Sequence, residues 1–310
     1  RDQILLLVDN AYFDALRSIA LLNVANQTLS TRELLFEQVS TLASNKLKSQ
    51  LDVNFAQVNV DDARLLKLQA ENDVKSAEAR LSNLLAENQS PHYILDDTPD
   101  PLHEPPDSPG LVSSALSNRP DLQRARFESE ASARLAHAAR ASRYPTLTAV
   151  GTAGVIPVHG PQFEDDYAVA GVNLSIPIFA GGLYSAKERE AKLRAEAALE
   201  NVKELENDVI RDVRIAALTA QTAYERISVT QRLLEHANET YTLAETKYRV
   251  GGVSIVELSQ AQLNKTAAEI ALTAARYNYK IQLSILDFQT GALSHSVSQP
   301  QPPPGSPGKM

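Results

Sequence analysis

Apolar residues recur along most of this chain at alternating steps of three and four. Leu5, Val8, Tyr12, Ala15, Ile19 and Leu22 begin such a seam, the spacing that keeps one stripe of a helix turned toward a partner helix. It predicts a helix from residue 2 to about 52. The seam breaks at Leu51-Asp52-Val53-Asn54 and resumes through Val60, Ala63, Ala70, Val74, Ala77, Leu81 and Leu84, with Lys67 interrupting it. A second helix is therefore expected from about Phe55 to Ala86, and the short break makes the pair an antiparallel hairpin.

A longer pair lies near the other end. Val209, Val213, Ala216, Ala220, Ala223 and Ile227 open a regular seam in a helix expected from about Tyr184 to Arg249; at 1.5 Å per residue it would span on the order of 100 Å. Gly251-Gly252 stops it, since glycine permits the backbone turn. The return helix is expected from Ser254 to about Phe288. It carries one seam through Val256, Leu263, Ile270 and Tyr277 and a second through Ala261, Ala268, Ala271 and Ala275. One seam suffices for a two-stranded coiled coil. Two suit a helix with a neighbour on each side, so the pattern favours a helical tube.

The stretch between the pairs is different. Ser90 to Gly110 holds six prolines, and proline lacks an amide donor and clashes inside helices, so an extended linker is expected. Helix resumes near Leu111, restarts at Asn118 with Pro120 and Asp121 in its first turn, and runs to about Ser142. Leu147–Val155 and Tyr167–Phe179 then alternate with period two: Val172, Leu174, Ile176 and Ile178 share one face, Gly171, Asn173 and Ser175 the other. A loop, Ile156 to Asp166, joins them. On alternation alone a soluble half-buried hairpin is favoured over a barrel wall between lipid and water, which the greasy and small-polar faces also fit.

The two return helices resemble each other. Ala63-Arg-Leu65-Leu-Lys67 aligns without gaps on Ala261-Gln-Leu263-Asn-Lys265, and at the same offset Val58 meets Val256 and Ala77 meets Ala275. Duplication is the expected origin. The repeat unit would be a strand hairpin, a long helix, a tip and a helix back. The first copy lacks its hairpin, and the chain opens Arg1-Asp2-Gln3 already in helical pattern, so a longer parent chain is expected.

Composition narrows the chemistry. There is no Trp or Cys and a single Met, as in long helices with shallow cores. Without Cys the chain has no disulfide, zinc-thiolate site or thiol nucleophile. The net charge of −8, with basic and acidic residues interleaved, disfavours nucleic acid. His92, His103, His137, His159, His236 and His295 are scattered, none at ligand spacing from another His or a carboxylate, and Asp165-Asp166 reads as a surface turn. The chain is read as a non-enzyme without cofactor or metal.

Three stretches carry a family resemblance. Asn118-Arg-Pro120-Asp121-Leu122 opens an Ala-rich helix that ends in Tyr144-Pro145. Pro177-Ile-Phe179-Ala-Gly181-Gly182 joins strand to helix. Lys247-Tyr248-Arg-Val250-Gly251-Gly252-Val-Ser-Ile255-Val256-Glu257 forms a helical turn. In this order the chain resembles the TolC-like outer-membrane efflux protein family, from residue 1 to about 291. The resemblance implies long antiparallel coiled-coil helices forming an α-barrel in the periplasm. It also implies a homotrimer in which each protomer gives four strands to a twelve-stranded transmembrane β-barrel set in outer-membrane lipid. The tips would close the duct and dock a periplasmic adaptor (membrane fusion protein) and an inner-membrane transporter, in an efflux or type I secretion system exporting small molecules or proteins. Three copies of this chain bring six strands, too few for that wall, and open edges are not tolerated in lipid. Alone, the chain is expected not to conduct.

The resemblance also places site residues. Acidic side chains past the second tip narrow the family's tunnel entrance; Glu257 and Gln260 match them, so one carboxylate is kept. In the first tip Asn59 stands where Asp is frequent and Val53 where Gly is expected, with Asp61 and Asp62 near enough to compensate. Glu257 reads either as a cation-favouring ring of three carboxylates or as an exposed helix cap. Tyr248 reads either as a seam residue or as a tip latch; Gly251 and Gly252 permit the turn. The expected segments are 1–86, first-repeat hairpin; 87–110, linker; 111–143, equatorial helices; 144–180, outer-membrane β-hairpin; 181–290, second-repeat hairpin with its tip; and 291–310, disordered tail. A coiled-coil adaptor without a channel would explain the helical hairpins equally, but not the strands feeding a long helix through Pro177 and Gly181-Gly182.

Overall fold

The computed structural model describes residues 1–87, 93–97, 103–106, 108–155 and 166–293. Most of the expected linker, the 156–165 loop and the tail beyond residue 293 lie outside the described residues. The elements are α1 (Asp2–Ser44), α2 (Gln50–Leu84), α3 (Ser108–Asn118), α4 (Pro120–Ala141), β1 (Thr146–Val155), β2 (Asp166–Ser175), α5 (Leu183–Arg249) and α6 (Ile255–Thr290). The fold is mainly helical with one antiparallel β-hairpin. No helix among the described residues is long and apolar enough to cross a membrane. The chain forms two compact units, one of residues 1–119 with 209 onward, the other of residues 120–208.

In the first unit α1 packs against both α2 and α6. The upper part of α6 meets α5 through Leu286 against Ala216, Ala217 and Ala220. α1 thus lies between α2 and α6, which also touch each other, and α5 lies against α6. Alanine dominates the buried positions (Ala15, Ala25, Ala63, Ala216, Ala220, Ala268), which lets backbones approach and leaves a shallow core. At the end away from the tips, described linker residues lie across the helices. Tyr12 Oη donates to the Asp96 carbonyl at 2.5 Å, Tyr277 Oη to Asp97 at 2.6 Å, Lys280 Nζ to Asp97 at 2.9 Å, and Tyr279 to the His103 carbonyl. Burial and then the Asp97 contact push the Tyr277 hydroxyl far above its ordinary range. Asp97 is held below the usual carboxylate value by its bonds to Tyr277 and Lys280, against a desolvation that works the other way.

In the second unit β1 and β2 pair in one unbroken register, from Thr146 opposite Ser175 to Val155 opposite Asp166. One face carries Leu147, Ala149, Val172 and Leu174; the other carries Thr148, Val150, Thr152, Val169 and Asn173. Both faces are exposed within the chain: Leu147, Val150, Val169 and Val172 all stand open. Tyr167 lies across Gly154, where any β-carbon would meet its ring at 2.8–2.9 Å. Strand structure ends at Ser175, short of the expected Phe179, because Pro177 cannot donate to a ladder. Gly181 and Gly182 take φ of +54° and +82°, the left-handed region glycine enters freely, and α5 starts on the next residue.

Candidate functional site at the helical tips

The first tip is not where the seam break placed it. α1 ends at Ser44 and α2 begins at Gln50, so residues 45–49 make the turn, while Leu51-Asp52-Val53-Asn54 is already helical. The reason is local. Ser49 N-caps α2: its hydroxyl accepts from the Asp52 amide at 3.2 Å, and Asp52 Oδ2 accepts the Ser49 amide at 3.0 Å. This is a reciprocal capping box.

The second tip repeats the plan. Ser254 caps α6, its hydroxyl accepting from the Glu257 amide at 3.3 Å. Gly251 N–H donates to Tyr248 O and Gly252 N–H to Lys247 O, the paired bonds that close a helix end. At the first tip Lys46 N–H donates to Ala43 O and Leu47 N–H to Leu42 O. The two tips therefore correspond at an offset seven residues larger than the ungapped alignment above. In this register Ser49 meets Ser254, Asp52 meets Glu257, Ala56-Gln57 meets Ala261-Gln262, and Asn59 meets Asn264. A slip of one heptad preserves every seam position, so hydrophobic pattern alone does not detect it.

Asn59 and Asp62 are thereby removed from the tip. Asn59 is the tenth residue of α2 and is buried between helices. Its Nδ2 donates to Ser259 Oγ at 2.7 Å, and its carbonyl accepts from the buried Arg32 at 2.8 Å. Asp62 is exposed on α2 and acts on Arg32 through its charge, opposing the desolvation that lowers the guanidinium's pKa. Val53 is a half-buried helical residue, not a turn.

Tyr248 is a core residue. With Val39, Ala56, Ile255 and Leu258 it forms one buried cluster joining the two tips. Lys48 Nζ stands 3.9 Å above its ring, a cation–π contact, while its buried hydroxyl has no hydrogen-bond partner among the described residues. Burial, and after it the Asp52 charge, raise the hydroxyl's pKa. Gly251 has φ +78° and requires glycine's freedom; a β-carbon on Gly252 would sit 3.4 Å from the Lys247 carbonyl. Glu257 and Gln260 are both exposed, and Gln260 donates to Asn264 at 3.0 Å. Leu47, Leu51 and Val250 expose apolar surface around the turns, Val250 by 80%.

Ser49, Asp52, Lys48 and Arg32 are the residues that sequence reasoning missed. A readable signal existed for two of them: Ser49-Gln-Leu-Asp52 and Ser254-Ile-Val-Glu257 share the Ser-x-x-acid pattern of a capping box. Above the tip, α1 and α6 meet through polar groups. Thr28 and Thr266 hydroxyls are 3.4 Å apart, and the buried Gln262 amide has no hydrogen-bond partner among the described residues.

Residues 111–292 match the family described as "Outer membrane efflux protein". The chain is 27% identical over 276 residues to the probable efflux pump outer membrane protein TtgC of Pseudomonas putida, covering 87% of this chain and 56% of that protein. It is 22% identical over 298 residues to the outer membrane protein TolC of Escherichia coli, covering 89% and 59%. It thus spans a little over half the length of these relatives. Among solved structures, a membrane protein from Pseudomonas aeruginosa superposes with a TM-score of 0.81 at 24% identity, over 94% of this chain and 69% of that one. CusC superposes equally well at 22% identity, over 93% and 68%. These likenesses establish the fold.

Proposed function

Because the chain belongs to the outer membrane efflux protein family, we propose that it is part of a homotrimeric export duct set in the outer membrane and reaching through the periplasm. The observation that carries this reading is that neither unit is closed on its own. The four helices leave two exposed flanks, and both are apolar. α2 exposes Leu51, Phe55, Val58, Leu65 and Leu68; α5 exposes Ile215, Leu218, Val229, Leu233 and Leu243. Two different apolar flanks suit a head-to-tail contact between copies, the kind that makes a ring when the rotation between them closes. The β-hairpin has no buried face and two open edges, and a two-stranded hairpin in water is marginal at best. In a barrel wall both needs are met.

The segments 1–86, 111–143, 144–180 and 181–290 then serve as first hairpin, equatorial helices, barrel strands and second hairpin. In the ring the tips form the periplasmic mouth. Asp52 and Glu257, each third in its return helix, bring two carboxylates per protomer to that mouth, a field that favours cations. The exposed Leu47, Leu51 and Val250 offer apolar surface to a periplasmic adaptor, which links the duct to an inner-membrane transporter that selects the cargo. The chain's part is passive conduction, without catalysis.

The test uses the full-length protein. Membrane fractionation, detergent extraction and light scattering corrected for detergent should give a trimer from the outer membrane; a soluble monomer or dimer overturns the duct and favours a coiled-coil scaffold. In planar bilayers, Glu257→Gln should weaken cation preference, with a further loss on adding Asp52→Asn. Unchanged selectivity in both removes the carboxylate gate while leaving the duct standing.

A further inference from the structure

The second unit changes chemistry abruptly where its strands end. From Tyr144 to Val155, and again from Tyr167 to Ala186, there is no charged residue. Beyond the two limits that face the helices come Arg140 near the end of α4, Arg143 just past it, and Lys187, Arg189, Lys192 and Arg194 in the first turns of α5, against only Glu188 and Glu190; at the other end of the hairpin stands Asp166. This is a strongly basic band in a chain whose net charge is −8. The two stretches lie together in space, since Arg143 bonds to Glu188.

Within the band the charges divide into two groups. Glu188, with only 9% of its side chain exposed, is held by Arg143 and by Lys192 at 2.9 Å. The Lys192 hydrogen bond, with the charges of Arg143, Lys192 and Arg140, outweighs desolvation and keeps this carboxyl below its ordinary pKa. Arg194 pairs with Glu190 at 2.6 Å. Arg140, Lys187 and Arg189 are exposed and make no salt bridge among the described residues, although Arg140 also acts on Glu188 through its charge. Between the band and the strands stand Tyr144, Ile178 and Phe179, exposed by 63%, 95% and 89%.

Along the chain this is an apolar hairpin, then an aromatic and aliphatic edge, then unpaired cations. The same order is met on passing from acyl chains through the interface to lipid phosphates. We infer that Arg140, Lys187 and Arg189 form a contact for the phosphates of anionic phospholipids in the periplasmic leaflet of the outer membrane; this rests on the channel reading above. A second copy of the chain is a poor occupant, because it would bring the same positive band and repel. A basic side chain near an anionic membrane surface contributes about 1 kcal/mol, or about fivefold in lipid affinity per charge.

Native mass spectrometry of the full-length protein, released from mixed micelles containing equal phosphatidylglycerol and phosphatidylcholine, tests this. Phosphatidylglycerol should be retained preferentially. The triple variant Arg140→Gln/Lys187→Gln/Arg189→Gln should lower that preference by about fivefold per charge removed, while Arg140→Lys/Arg189→Lys keeps it. Excess soluble glycerol phosphate should not displace the lipid if the band reads a membrane surface. Equal retention of the two lipids by the unaltered protein overturns the inference whatever the variants do, as does displacement by glycerol phosphate. A protein that never reaches the outer membrane sinks the channel reading and this one together. A trimer lodged there without lipid preference sinks this one alone.

Discussion

The two helical tips follow one backbone plan with different residues. Each ends a helix with the same pair of backbone bonds, turns over five residues, and restarts from a serine cap followed three residues later by an acid. At the left-handed position the second tip uses Gly251, φ +78°, and the first uses Lys46, φ +60°. Where the second tip places Tyr248, the first has Ala43; where the second has Ile255 and Leu258, the first has Gln50 and Val53. Within the shared core the second tip supplies Tyr248, Ile255 and Leu258, while the first hairpin supplies Val39 and Ala56 with Leu35, Phe36 and Val53 packed around them, and the Lys48 charge above the tyrosine ring. The backbone tolerates different residues, and what the tips exchange is volume: one is the knob, the other the socket.

This asymmetry can be broken at several points. Tyr248→Ala removes the knob and should destabilise the joined tips by about 3 kcal/mol, as large aromatic truncations in cores do. Hydrogen exchange at the tip amides should rise sharply, while Ala43→Gly, the equivalent position, should lose only about 1 kcal/mol through helix propensity. If both variants exchange alike, the knob and socket description fails. The caps come next. Ser49→Ala should cost about 1 kcal/mol and more than Ser254→Ala, because only Ser49 belongs to a reciprocal box with its acid; thermal melts of the two variants compare them directly. Lys48→Gln removes the cation over Tyr248 and should lose about 0.5–1 kcal/mol, an effect that vanishes in a Tyr248→Leu background. The smallest change has the opposite sign. Lys46→Gly relieves a left-handed non-glycine and should stabilise by about 0.5 kcal/mol, whereas Gly251→Ala imposes that strain and should destabilise by about 1 kcal/mol.

The same residues show what could be read in advance. The long helices and the strand pair followed from periodicity, since each element has a face that must be apolar. The junction glycines followed from chemistry that few other residues supply. The first tip did not, because the seam continues through any shift of seven. Only a non-periodic mark, the Ser49 capping box, distinguishes one heptad from the next. Asn59, with its carboxamide-type side chain near an expected turn, resembled a tip residue in one dimension and proves to be a buried bridge from α2 to Ser259 and Arg32.

By itself the sequence determined the element types, the double seam, the uncharged strands with their basic border, and membership in the outer membrane efflux protein family. These are properties of local spacing and side-chain chemistry, which a linear string carries in full. Tertiary structure decided the register between the two repeats, the joining of both tips around Tyr248, and the packing of helices that leaves α2 and α5 as apolar flanks. Each of these depends on which of several equivalent seams meets which partner. That choice rests on caps, buried polar bridges and side-chain volume acting across hundreds of residues, as Asn59 and Ser259 do.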